Sequence, residues 1–144
     1  MKTILIIDDM AFCRELFSLA LRREGYEVLT AGSGREGMQL MQSHKPDLVM
    51  LDVMMPDLDG IATLRMIRAT PDIKHIPVFV LTADEDRERI RQARQIGVQA
   101  YILKSQFLLE TTLDRIREIV GEIETAPLET VTGRAVEEVW GDVQ

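Results

Sequence analysis

Thr3-Ile4-Leu5-Ile6-Ile7-Asp8-Asp9 and Leu48-Val49-Met50-Leu51-Asp52 share one design, an unbroken apolar run that ends in carboxylates. Apolar residues without alternation mark strands buried on both faces, the habit of parallel sheets. Two further runs end on polar groups of other kinds: Pro77-Val78-Phe79-Val80-Leu81 leads to Thr82, and Tyr101-Ile102-Leu103 leads to Lys104. Parallel strands gather their carboxyl ends along one edge, where open α/β sheets bind their ligands. Three acids, a hydroxyl and an ammonium are therefore predicted to meet there, a set suited to a metal ion and a phosphoryl group.

The same reading extends along the chain. Apolar runs near 3–7, 26–30, 47–51, 77–81 and 99–103 alternate with longer segments of helical period. This predicts an α/β domain with a doubly wound, five-stranded parallel sheet, right-handed crossovers and helices on both faces. In the first helical segment Phe12, Leu16, Leu19 and Ala20 are read as the core face, with Arg14, Glu15, Arg22 and Arg23 turned away. Met38, Leu40 and Met41 serve the second, Ile61, Leu64 and Ile67 the third, and Leu109, Leu113, Ile116 and Val120 the fifth. The fourth, 84–95, offers little beyond Ile90 and Ala93 between its leading acids and its arginines, and is expected to be lightly anchored. Met38, Met41, Met50 and Met66 are read as core filler.

Composition narrows the function. A chain of 144 residues suits one domain. Its net charge of −7 argues against nucleic acid as a direct ligand, since phosphate backbones are held by clustered Lys and Arg. Cys13 is the single cysteine, so an intrachain disulfide and a cysteine-rich metal site are excluded and a packing role on its helix is expected. The apolar start stops at Asp8, too soon for a signal peptide, and no run approaches bilayer length, which predicts a cytoplasmic protein without membrane insertion. His44 and His75 lie in polar surroundings and are expected to be solvated.

Three neighbouring carboxylates repel one another unless a cation intervenes. Mg²⁺ is the natural cation, because it takes one or two carboxylates, keeps water and completes its shell with phosphate oxygens. With the acids screened, one carboxylate can attack phosphorus in line to form an aspartyl phosphate. Asp52, alone at the end of a central strand, is the expected nucleophile, with Lys104 and Thr82 on the phosphoryl oxygens.

Asp8-Asp9, Asp52 within Leu51-Asp52-Val53-Met54-Met55-Pro56-Asp57-Leu58-Asp59-Gly60, Thr82-Ala83 and Lys104, in this order, resemble the receiver domain of two-component response regulators, of the stand-alone chemotaxis-regulator kind, over residues 1–121. The resemblance implies a flavodoxin-like strand order 2-1-3-4-5. It implies Mg²⁺ held by Asp9, Asp52 and the backbone carbonyl of Met54, with Asp8 acting mainly through a bound water. Asp52 would accept a phosphoryl group from a histidine kinase, a phosphotransfer protein or a small phosphodonor. Thr82 and Tyr101 would then switch the face formed by the fourth helix, fifth strand and fifth helix, which would bind a downstream protein target. Such a chain is a monomer or a phosphorylation-dependent homodimer, and no enzyme beyond its own phosphorylation and dephosphorylation. Met54 and Asp84 stand where the family tunes phosphoryl lifetime, Pro56 fixes the loop after the phosphorylated strand, and Gly60 allows close packing there. Ser105 departs from the family, which usually has a cis proline after the Lys. A cis bond here would cost roughly 2.5–4 kcal/mol, so a trans or strained loop is expected, with the ammonium still in reach.

Three other readings stand beside this one. A phosphatase using an aspartyl phosphate would carry a second acid two residues after the nucleophile, where this chain has Met54, and a flavin carrier would need a hydroxyl- and glycine-rich loop in place of Asp8-Asp9-Met10. A fragment of a longer regulator, or a degenerate receiver acting as a fixed docking module, is the third. Residues 122–144 are expected to form a tail or linker, with Leu128, Val131, Ala135, Val136, Val139 and Trp140 on one stripe if 130–140 is helical.

Overall fold

The computed structural model describes residues 1–55 and 59–121. The expectations for Pro56 and for 122–144 lie outside them. Five strands, β1 (Thr3–Ile7), β2 (Glu27–Ala31), β3 (Leu48–Leu51), β4 (Val78–Thr82) and β5 (Ala100–Leu103), alternate with five α-helices. These are α1 (Ala11–Arg23), α2 (Gly34–His44), α3 (Gly60–Ala69), α4 (Arg87–Ile96) and α5 (Leu109–Val120), with a 3-10 turn at Lys104–Gln106. The sheet is wholly parallel, ordered β2-β1-β3-β4-β5, as expected. Strand bounds differ from the sequence reading by one residue at most at either end.

Each strand feeds two cores, which explains its unbroken apolarity. From β1, Leu5 and Ile7 pack with Met41, Leu64 and Ile67 beneath α2 and α3. Ile4 and Ile6 point the other way, to Phe17, Leu21, Leu113 and Ile116 beneath α1 and α5. Phe79 on β4 is the largest side chain with no exposure. Burying a side chain of this class stabilises by about 1.5–3 kcal/mol, which is why the strands sort by apolarity alone.

Helix starts follow the local chemistry. The Ser33 hydroxyl accepts from the Glu36 N–H at 3.2 Å while the Glu36 carboxylate accepts from the Gly32 N–H at 2.9 Å, a reciprocal cap on α2. Asp59 caps α3 through the Ala62 N–H, and Asp86 caps α4 through Glu88 and Arg89. The last cap puts the start of α4 at Arg87, so Asp84, Glu85 and Asp86 precede the helix instead of opening it. Ala93 is the one buried residue of α4, so its light anchoring holds. The Arg68 guanidinium supplements it by donating to the Gly97 carbonyl at 3.0 and 3.1 Å.

Three packing expectations are corrected. The core face of α1 is Cys13, Phe17, Ser18 and Leu21, while Phe12, Leu16 and Leu19 are 73%, 49% and 54% exposed. The helix carries apolar residues on two sides, at 12, 16 and 19 and at 13, 17 and 21, and period alone cannot choose between two such stripes. Leu109, the first residue of α5, and Met66 on α3 are exposed instead of core. Cys13 packs in the core as expected, and His44 and His75 are exposed.

Candidate functional site

The carboxyl ends of β1, β3, β4 and β5 deliver Asp8, Asp9, Asp52, Thr82 and Lys104 to one place. The parallel register is responsible: Ile7 pairs with Leu51, Leu51 with Val80, and Thr82 with Leu103, so the residues that follow come level. Asp52 is buried, and its backbone N–H donates to the Ile7 carbonyl at 2.9 Å, extending the β1–β3 ladder into the site. Its Oδ1 accepts from the Thr82 hydroxyl at 2.5 Å and from the Met54 N–H at 2.9 Å. Its Oδ2 accepts from Lys104 Nζ at 3.1 Å, and Lys104 also donates to Asp8 Oδ2 at 2.8 Å. One ammonium thus spans the two buried acids.

Asp9 is exposed and contributes the open side of the cluster. One carboxylate oxygen each from Asp8, Asp9 and Asp52 lies within 4.8 Å of the others, an all-oxygen donor set of the spacing a hard divalent ion takes. Burial raises the Asp8 pKa against the opposing hydrogen bond from Lys104. For Lys104, burial disfavours the charge, but the bond to Asp8 and the fields of Asp52 and Asp8 outweigh it and push its pKa up. The ammonium is therefore fixed as a cation across the physiological range.

The Lys104–Ser105 bond is trans, since no cis peptide occurs among the described residues. The ammonium reaches both carboxylates from this loop all the same. Gly60 also meets its expectation: a Cβ there would stand 2.2 Å from Val53 Cα and 2.6 Å from the Asp52 carbonyl oxygen. No side chain fits where α3 begins against the end of β3.

Both switch candidates bond groups at the rim, the Thr82 hydroxyl to Asp52 and the Tyr101 hydroxyl to the loop after β4. Tyr101 is buried, and its hydroxyl donates to the Asp84 carbonyl at 3.1 Å. Burial, then the Asp84 carboxylate, raise its pKa, so it stays a neutral donor. The Asp84 N–H donates to Thr82 Oγ1 at 3.3 Å, which links Tyr101 to Asp52 through one loop.

Sequence reasoning missed three supports. Arg89 Nη1 pairs with the buried Asp84 Oδ2 at 3.1 Å and ties the start of α4 to the site loop. The Arg14 guanidinium donates to the Asp8 carbonyl at 2.7 Å. Cys13 Sγ lies 3.6 Å from Lys104 Nζ, so the helix behind the site touches its cation. The acid–arginine spacing of 84 and 89 was the signal for the first; the other two depend on tertiary packing that no local pattern encodes. Met54 contributes its N–H to Asp52, and its side chain is exposed.

Known proteins agree with this geometry. The chain is 36% identical over 153 residues to the transcriptional regulatory protein PdtaR of Mycobacterium tuberculosis, covering 99% of this chain and 73% of that one. It is 34% identical over 106 residues to the polar-differentiation response regulator DivK of Brucella ovis, covering 72% of this chain and 84% of DivK. The chemotaxis protein CheY4 of Vibrio cholerae superposes with a TM-score of 0.76 at 29% identity, over 83% of this chain and 98% of CheY4. The response regulator receiver domain model matches residues 4–117, and with the acids, hydroxyl and ammonium assembled at the strand ends the chain belongs to that family of two-component signalling modules.

Proposed function

We propose that the chain accepts a phosphoryl group on Asp52, in a Mg²⁺-dependent reaction, from a phosphohistidine on a histidine kinase or phosphotransfer protein. The observation that carries this is the setting of the Asp52 carboxylate, with Thr82, Lys104 and the Met54 N–H around it and two further acids alongside. Asp9, Asp52 and the Met54 carbonyl would hold the ion, with Asp8 reaching it through water. When bound, Mg²⁺ neutralises the acids and the phosphoryl oxygens, lowering the cost of bringing anion to anion.

The chain's own residues do the remainder. An Asp52 carboxylate oxygen attacks phosphorus, the P–N bond to the donor imidazole breaks, and the departing ring nitrogen takes up a proton. Lys104, fixed as a cation, follows the charge from carboxylate to phosphoryl oxygen. The Thr82 hydroxyl exchanges its bond to Asp52 for one to the phosphoryl group. The loop through Asp84 and the buried Tyr101 respond to that shift and alter the surface of α4, β5 and α5. Arg87, Ile90, Arg91, Arg94 and Gln95 line a shallow groove of about 550 Å³ on α4, which fits a downstream protein segment carrying acidic and apolar residues. In this reading 1–121 is the cytoplasmic receiver and 122–144 an appended tail.

Intact mass after incubation with Mg²⁺ and acetyl phosphate tests the proposal. The parent gains one phosphoryl group, and Asp52→Asn or excess chelator abolishes the adduct. An adduct retained by Asp52→Asn overturns the assignment, and none on the parent under any condition leaves a docking module in place of a switch.

A further inference from the structure

Lys104 is the cation of the site, yet its backbone gives it little hold. It opens the 3-10 turn Lys104–Gln106, in which no residue is buried, and the turn closes on one long bond from the Phe107 N–H to the Lys104 carbonyl at 3.4 Å. The peptide bond to Ser105 is trans, with no proline ring to stiffen the turn. A lysine carries its charge on a flexible four-carbon stem, so what the head meets decides where the ammonium stands.

The head meets three acceptors, one for each of its N–H donors. Lys104 Nζ lies 2.8 Å from Asp8 Oδ2, 3.1 Å from Asp52 Oδ2 and 3.6 Å from Cys13 Sγ. In the proposed transfer two of these partners change: Asp52 takes the phosphoryl group, and Asp8 turns to the water of the ion. Cys13 does neither. It is buried in the first turn of α1, in the cluster that holds Phe17, Leu21, Ile102 and Ile116. Phe17, one turn further along the same face, meets Phe107 just past the 3-10 turn, with ring centroids 5.2 Å apart. Helix α1 therefore holds the Lys104 turn at two points, the ammonium at Cys13 and the far end at Phe107.

We infer that Cys13 is a positioning residue for phosphoryl transfer, its sulfur keeping the Lys104 ammonium aimed into the site while the bonds to Asp8 and Asp52 are exchanged. The inference rests on Asp52 as the phosphoryl acceptor. Sulfur is a weak acceptor, so it steers the ammonium without competing with the phosphoryl oxygens for it. A third carboxylate in its place would hold the cation back, and a hydrocarbon would leave one N–H facing an apolar wall.

Adduct formation with acetyl phosphate at saturating Mg²⁺, followed by intact mass, tests the inference on Cys13→Ala and Cys13→Ser, which differ from each other by one hydroxyl. Cys13→Ala should slow the maximum rate about three- to tenfold, because a loosened donor spends part of its time away from the reacting geometry. Cys13→Ser, which restores an acceptor, should recover most of the parent's rate. Mg²⁺ affinity, read by calorimetry without phosphodonor, should stay within about twofold of the parent in both variants, because the carboxylates that would hold the ion are untouched. No adduct on the parent would remove Asp52 as acceptor and this role with it. An adduct on the parent at a rate that Cys13→Ala matches, a Cys13→Ser as slow as Cys13→Ala, or a rate that falls only in step with Mg²⁺ affinity would overturn the positioning role alone and leave Cys13 a packing residue.

Discussion

The body of the sheet and its carboxyl rim are made by the same strands and obey opposite rules. Leu48, Val49, Met50 and Leu51 on β3 are at most 3% exposed and wholly apolar; the next residue, Asp52, is 4% exposed and carries a carboxylate. One step along the chain separates a residue whose burial stabilises from one whose burial costs. The rim tolerates this because Lys104 spans Asp8 and Asp52, and because the apolar body offsets what remains. The body holds the fold, while the rim spends stability to keep charged groups close enough to act.

The sharpest test of the body is Phe79→Ala. Phe79 has no exposure and pairs with Met50 and Ala100 on its flanking strands, so the void has no solvent to fill it. A loss of about 3–5 kcal/mol is expected, read as a fall in the urea midpoint at unchanged slope. The counterpart on the rim is Lys104→Met. Removing one preorganised charged donor should slow Asp52 phosphorylation by about a hundredfold or more, read from adduct formation with acetyl phosphate. An equal rate would remove Lys104 from the site and leave it a structural tie between Asp8 and Asp52.

The same division explains what was legible in the sequence. The five strands, their parallel direction and the assembly of Asp8, Asp9, Asp52, Thr82 and Lys104 are legible because doubly buried strands are uniformly apolar and any polar residue that ends one is conspicuous, whereas the order 2-1-3-4-5 rests on the family resemblance. The helices were less legible. On α3, Ile61, Leu64 and Ile67 form a single stripe that spacing identifies as core; on α1, two stripes compete, and spacing points equally to the exposed one. What tethers the site also escaped, since Arg89 on Asp84, Arg14 on the Asp8 carbonyl and Cys13 beside Lys104 depend on how α1 and α4 sit against the sheet. Local spacing reports burial where a helix carries a single apolar stripe, and it does not report tertiary contacts.

The smallest and most diagnostic effect is expected at Asp8→Asn. Burial raises the Asp8 pKa above its ordinary value of 3.8 despite the bond from Lys104, so the fold favours its protonated form. With that sign, its contribution to stability is fully present below pH 3.8 and is lost as pH rises through the raised value in the folded protein. Asparagine is neutral throughout, keeps a carbonyl oxygen for Lys104, and leaves the ammonium its second carboxylate at 3.1 Å on Asp52. In chelator at neutral pH the variant should melt a few degrees above the parent, and the gap should close as pH falls toward 4. Added Mg²⁺ should close it from the other side, because an ion stabilises the parent's full set of acids and the variant's less. A variant less stable than the parent in chelator would mean that the Asp8–Lys104 pair outweighs the cost of burying Asp8, and that this part of the rim belongs with the body.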